Sequence, residues 1–140
     1  MSEHRDHAYR VALKLKDQPA SLRLAALLHE VMDDDFFWGN QMIGLLDPMV
    51  GRLVRVLWRG DTEPYDRYID RLVIKASAET QKLKLWDVPP AVSALPGIAA
   101  AMLKIADLED NLEHMDAEHE SLRPRYEKAL ARLKEAIGDE

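Results

Sequence analysis

The chain has 140 residues, 47% of them apolar, enough to bury one ordinary core without staples. Asp and Glu number 25 against 19 Lys and Arg, and the formal charge of −6 argues against nucleic acid as a partner. There is no cysteine, which excludes disulfides, zinc–thiolate sites and cysteine nucleophiles. No apolar run approaches the roughly 18–20 residues that span a bilayer. Residues 1–7 lack the basic start and apolar stretch of a signal peptide, so no membrane partner and a cytoplasmic location are expected.

Apolar residues recur at helical spacing almost throughout, and no stretch alternates as a strand does. The expectation is a single all-α domain over residues 1–140, with about six to eight helices. The first spans Glu3–Lys16, with Tyr9 and Leu13, joined by Val11 and Leu15, on its buried side. Gln18-Pro19 ends it. Ser21 caps a second, Leu22–Asp34, whose run Leu24-Ala25-Ala26-Leu27-Leu28 is apolar nearly all round and predicts a central helix. Asp33-Asp34-Asp35 closes it at the negative end of the helix dipole, an arrangement that costs stability unless a cation is near. Asp35 reads as a cap for the following turn, and Phe36, Phe37 and Trp38 as core or pocket wall before the Gly39-Asn40 turn.

Short helices follow over Gln41–Leu46 and Met49–Trp58. Asp61 or Thr62 caps the next, with Pro64 in its first turn and Tyr65, Tyr68, Ile69, Leu72 and Val73 along it to Leu85. Asp87–Gly97, with Pro89, Pro90 and Pro96, is expected to be a loop. A helix over Ile98–Asp116 turns Ala99, Met102, Leu103, Ile105, Ala106 and Leu112 inward. Ser121 caps a last helix that packs Leu122, Tyr126, Ala129, Leu130, Leu133 and Ile137 on the domain and ends at Gly138.

The chemistry-bearing residues gather on these helices. His29 and Glu30 lie one turn before Asp33 and Asp34, just past a buried apolar run. Asp107 and Asn111 lie one turn apart, and His7 directly precedes the apolar residues that dock the first helix. His114 and His119 are expected to face solvent. Imidazoles with carboxylates suit Mn²⁺, Fe²⁺ or Zn²⁺ better than Ca²⁺. On residue types alone, such pairs are more often solvated helix faces or satisfied core histidines than sites.

The order of three motifs goes further. His7-Ala8-Tyr9-Arg10-Val11-Ala12, Ala25-Ala26-Leu27-Leu28-His29-Glu30-Val31-Met32-Asp33-Asp34 and Lys104-Ile105-Ala106-Asp107-Leu108-Glu109-Asp110-Asn111 resemble, in order and internal spacing, the HD-domain phosphohydrolases. Within them they are most similar to the hydrolase domain of RelA/SpoT proteins and its small stand-alone relatives. Trp58-Arg59-Gly60-Asp61, Tyr65-Asp66-Arg67-Tyr68-Ile69 and Arg125-Tyr126-Glu127-Lys128-Ala129-Leu130 extend the likeness over nearly the whole chain.

The resemblance implies an HD-type helical domain. His7, His29, Glu30 and Asp107 would ligate a divalent metal, most readily Mn²⁺, with Fe²⁺ or Zn²⁺ as alternatives. Asp33 and Asp34 would act on the attacking water, and Asn111 and Lys104 would hold a nucleotide or other phosphorylated small molecule. For Lys104 an ordinary salt bridge is the equal alternative. The implied reaction removes a 3′-pyrophosphate from a guanosine tetraphosphate-like nucleotide; a homodimer is compatible with it. Glu30 stands where the family has aspartate, and Asp33 where it has glutamate. The leader before His7 is short, and the segment from Glu79 to Gly97 is long, a candidate lid, partner surface or pocket wall with Trp86. These departures motivate the alternative: a catalytically degenerate HD domain that binds a nucleotide or a protein. A non-nucleotide reaction on the same scaffold is a third reading.

Overall fold

Helical spacing in the sequence becomes helix wherever the computed structural model describes the chain, which is residues 2–28, 48–60, 62–86 and 95–138. The α-helices are α1 (Ser2–Lys14), α2 (Ala20–Leu28), α3 (Pro48–Leu57), α4 (Tyr65–Trp86), α5 (Pro96–Glu113) and α6 (Arg123–Ala136). A 3-10 helix over Ala117–Leu122 joins the last two, and no strand occurs among the described residues. The architecture is all-α. No described helix is long and apolar enough to cross a membrane. The expected helix over 41–46, the aromatic cluster at 36–38 and most of the expected loop at 87–97 lie outside the described residues.

The central element is α5, which packs against α1, α2, α3, α4 and α6. Its sequence explains this position. Ala99, Ala100 and Ala101 are fully buried and small enough to let neighbours approach from several sides. Leu103 and Leu108, also fully buried, fill the space that remains. The expectation of a central second helix is corrected: α2 buries Leu22, Ala25 and Ala26 but leaves Leu24 39% and Leu27 44% exposed.

The docking face of α1 is also corrected. Val11 and Leu15 are buried with His7 and Ala8, whereas Tyr9 is 60% and Leu13 50% exposed. Both sets obey helical spacing, and the partners of His7 on α5 decide between them.

Two helix ends are completed from α4. The last carbonyls of α3 have no partner within their own helix. Tyr68 Oη donates to Leu57 O at 2.6 Å, and Arg71 donates to Val56 O at 2.7 Å and Trp58 O at 3.1 Å. Arg71 is fixed in turn by Glu63, at 3.0 Å from both Nε and Nη2. At the start of α5, Pro96 occupies the first turn, and the Glu79 carboxylate accepts the amides of Gly97 at 3.0 Å and Ile98 at 2.8 Å. It thereby meets the positive end of the helix. A Cβ at Gly97 would lie 2.7 Å from Lys75 Cγ and 2.8 Å from Glu79 Oε2, so glycine keeps this cap closed. Glu79→Ala is expected to cost about 1–2 kcal/mol in urea-unfolding free energy, as for loss of a helix cap. An unfolding midpoint equal to wild type would remove the cap from the account.

Neither expected serine cap is present. Ser21 lies inside α2, which begins at Ala20. Ahead of Ser121, Asp116 Oδ1 accepts the His119 amide at 3.0 Å and opens the 3-10 helix; α6 then starts with Pro124 in its first turn and no side-chain cap. Gly138, at φ 76°, follows the C-terminus of α6 in the left-handed region that glycine adopts without cost. Of the long segment from Glu79 to Gly97, residues 79–86 simply continue α4, and Trp86 is 64% exposed.

Candidate metal centre

Where α1 crosses α5, His7 projects one turn before Val11 into the buried seam. Asp107 and Asp110, three residues apart, share one face of α5. His7 Nδ1 lies 2.6 Å from Asp110 Oδ2, and His7 Nε2 lies 2.6 Å from Asp107 Oδ1. All three side chains are buried. Each carboxylate also holds a cation. Arg10 donates through Nε at 2.7 Å and Nη2 at 3.0 Å to Asp110, and Lys104 Nζ donates to Asp107 Oδ2 at 2.8 Å. Lys14 and Glu113, 2.8 Å apart, continue the seam to the surface.

Burial alone would raise the Asp110 carboxyl, but hydrogen bonds from Arg10 and His7, with their charges, outweigh it and hold the group below the ordinary carboxylate range. Burial likewise opposes charge on Lys104. The Asp107 carboxylate, reinforced by the Tyr68 and Tyr65 hydroxyls, outweighs that and keeps the ammonium above the usual lysine range.

The histidine carries the chemical meaning. A neutral imidazole has one N–H and one bare lone pair. If Nδ1–H donates to Asp110, the Nε2 lone pair faces a carboxylate oxygen, and two electron-rich atoms at 2.6 Å need a cation between them. A second proton would serve, making His7 an imidazolium. Nε2 and Oδ1 are also a ligand pair that a divalent metal would take by displacing that proton and widening the 2.6 Å contact, with Asp110 as the outer carboxylate that fixes the ring, an arrangement common among metal-bound histidines. The donor set therefore fits a borderline divalent ion.

A cavity of about 440 Å³ opens beside this seam, faced by Asp6, His7, Arg10, Asp110, Asn111 and His114, with Tyr126 on another wall. That volume falls within the range of small-molecule pockets. His114 Nδ1 lies 3.3 Å from Asp110 Oδ1. Asp110, Glu113 and His114, and separately Asp116, Glu118 and His119, bring ligand atoms close enough together to hold a metal ion. As expected, His114 and His119 are exposed.

Comparison with family models, with characterised proteins and with solved structures finds no match. Function is therefore read from the chain's own side chains.

Of the residues singled out in the sequence, His7 and Asp107 meet, and Asn111 faces the adjoining cavity. Lys104 is engaged by Asp107 and is not among the residues facing that cavity. His29, Glu30, Asp33 and Asp34 lie outside the described residues. Sequence reasoning gave no role to Asp110 or Arg10. The signal was available: Asp110 is three residues from Asp107 and Arg10 three from His7, the spacing that shares a helix face.

Nearby, the Tyr65 hydroxyl is buried without a hydrogen-bond partner among the described residues, and burial pushes its pKa up to about 12. Its ring lies 5.9 Å from that of Tyr126 and 5.2 Å from the Arg125 guanidinium carbon. Tyr65→Phe removes an unsatisfied polar atom while keeping the ring. It is expected to raise stability by up to about 1 kcal/mol, against the usual loss on deleting a bonded hydroxyl. A destabilised variant in thermal melts would show that the hydroxyl is bonded in solution.

Proposed function

We propose that this chain is a metal-dependent phosphohydrolase of the HD type that acts on a nucleotide, with release of pyrophosphate from a guanosine tetraphosphate-like substrate as its favoured reaction. One observation carries the reading: a buried histidine whose two ring nitrogens each face a carboxylate at 2.6 Å, on the two motifs that resemble the family's first and third. Those motifs suggested His7 and Asp107 as ligands from the sequence, and the two side chains meet across 100 residues of chain.

In this reading His7 and Asp107 hold the ion, with His29 and Glu30 proposed as further ligands and Mn²⁺ as the favoured metal. Bound there, the ion would polarise a phosphoryl oxygen and lower the pKa of water. Asp110 keeps the His7 ring oriented and its Nε2 unprotonated. Arg10 and Lys104 balance the two carboxylates and hold them still. Asn111 and His114 offer hydrogen bonds on the cavity side, where substrate would lie. Asp33 and Asp34 are proposed to take the proton from the attacking water. A cytoplasmic setting belongs to the same proposal.

The same geometry also favours the degenerate-domain reading in one respect. Among the described residues, Arg10 and Lys104 each pair with one of the two carboxylates, Asp110 and Asp107, so a second proton on His7 completes the network in place of an ion. That reading predicts thermal stabilisation by nucleotide with no phosphate release.

The deciding assay follows phosphate and pyrophosphate release from guanosine tetraphosphate with added Mn²⁺. Turnover by the wild type, reduced at least about tenfold in Asp107→Asn, is expected if Asp107 supports the metal. Nucleotide binding with no release from the wild type would favour the binding module instead.

A further inference from the structure

The chain carries a second cavity, of about 470 Å³, between α3 and α4, and its charge is opposite to that of the molecule. Of the described residues that face it three are arginines, Arg52, Arg55 and Arg71, and the others are Pro48, Gly51 and Val56. No carboxylate is among the described residues that face it, although acids outnumber bases in the chain, 25 to 19. Arg52 and Arg55, three residues apart on α3, are exposed and have no carboxylate partner among the described residues, whereas Arg10, Arg71, Arg123 and Arg132 each have one. Arg71 forms a preset wall. Glu63, Val56 O and Trp58 O take four of its five N–H groups, which fixes the guanidinium plane and leaves one Nη1 proton for a ligand.

We propose that this cleft is an anion site, distinct from the metal centre, which binds a small phosphorylated molecule through Arg52, Arg55 and Arg71. Guanidinium groups suit phosphate because their paired N–H donors match two phosphate oxygens at once. Among the described residues facing the cleft none carries a carboxylate, imidazole or hydroxyl, so these residues bind an anion and offer it no base or nucleophile. The cleft thus differs from the histidine-lined cavity in both charge and chemistry.

Inorganic pyrophosphate is the probe, titrated calorimetrically into the full chain after chelator treatment, at about 0.15 M salt to screen non-specific attraction. Saturable binding is expected. Arg52→Ala/Arg55→Ala should weaken it at least about tenfold, since each lost charge-assisted pair is among the stronger hydrogen bonds. Both positions are exposed, so the double variant should melt like wild type. Asp107→Asn should bind pyrophosphate unchanged. No saturable binding to wild type, unchanged binding to the double variant, or equal loss in Asp107→Asn would each overturn the assignment. Because metal is absent, a failed phosphohydrolase assay leaves this result standing, and the reverse also holds.

Discussion

Asp110→Ala is expected to lower the unfolding free energy by about 3 kcal/mol, the cost of stripping one partner from a buried ionic network. The carboxylate is 1% exposed and holds both His7 and Arg10. Its loss takes the Asp110 acceptor from the buried His7 Nδ1, while Arg10, 35% exposed, recovers part of its hydration. Asp110→Asn keeps the shape and one acceptor and should lose less. The pH dependence distinguishes the network from simple packing. The Asp110 carboxyl sits below its ordinary value of about 3.8 when folded, so its contribution is complete above that pH and is lost as pH falls through the folded value. The stability gap between wild type and Asp110→Ala should therefore narrow in urea titrations below about pH 4. A gap that stays constant well below that pH would mean the variant suffers only from lost packing.

Leu103→Ala is expected to cost about 3 kcal/mol, within the span of about 2–5 kcal/mol seen when a fully buried leucine leaves a cavity. Leu103 lies on α5, the helix that touches every other described α-helix, so surrounding side chains cannot collapse into the space from one side alone. Leu13, half exposed on α1, is the matched control, and Leu13→Ala should stay within about 0.5 kcal/mol of wild type. Comparable losses at the two sites would contradict both the central place of α5 and the docking face assigned to α1.

The sequence shows these elements unevenly, for physical reasons. Helical periodicity is local and strong, so the all-α class and the span of α5 could be read directly. Which face of α1 docks is not local. Tyr9 and Leu13 repeat as well as His7 and Val11 do, and the choice depends on Asp107 and Asp110, about a hundred residues away. Asp110 carries a charge that usually marks a solvated helix face, so its burial showed only in its spacing from Asp107. The caps supplied by Arg71 and Glu79 to neighbouring helices leave no local trace at all. Ser21 and Ser121 show the converse. Each has the chemistry of a cap, but the turns begin earlier, at Ala20 and behind Asp116, where the chain already finds its bonds.

The most direct test of the metal-centre reading is elemental analysis of protein purified without chelator, beside His7→Ala prepared identically and shown by circular dichroism to be folded. About one equivalent of Mn, Fe or Zn in the wild type, absent from His7→Ala, is the predicted result for a mixed nitrogen and oxygen site. A metal-free wild type that also fails to take up added Mn²⁺ would contradict it, and would leave His7 as an imidazolium bridging two carboxylates.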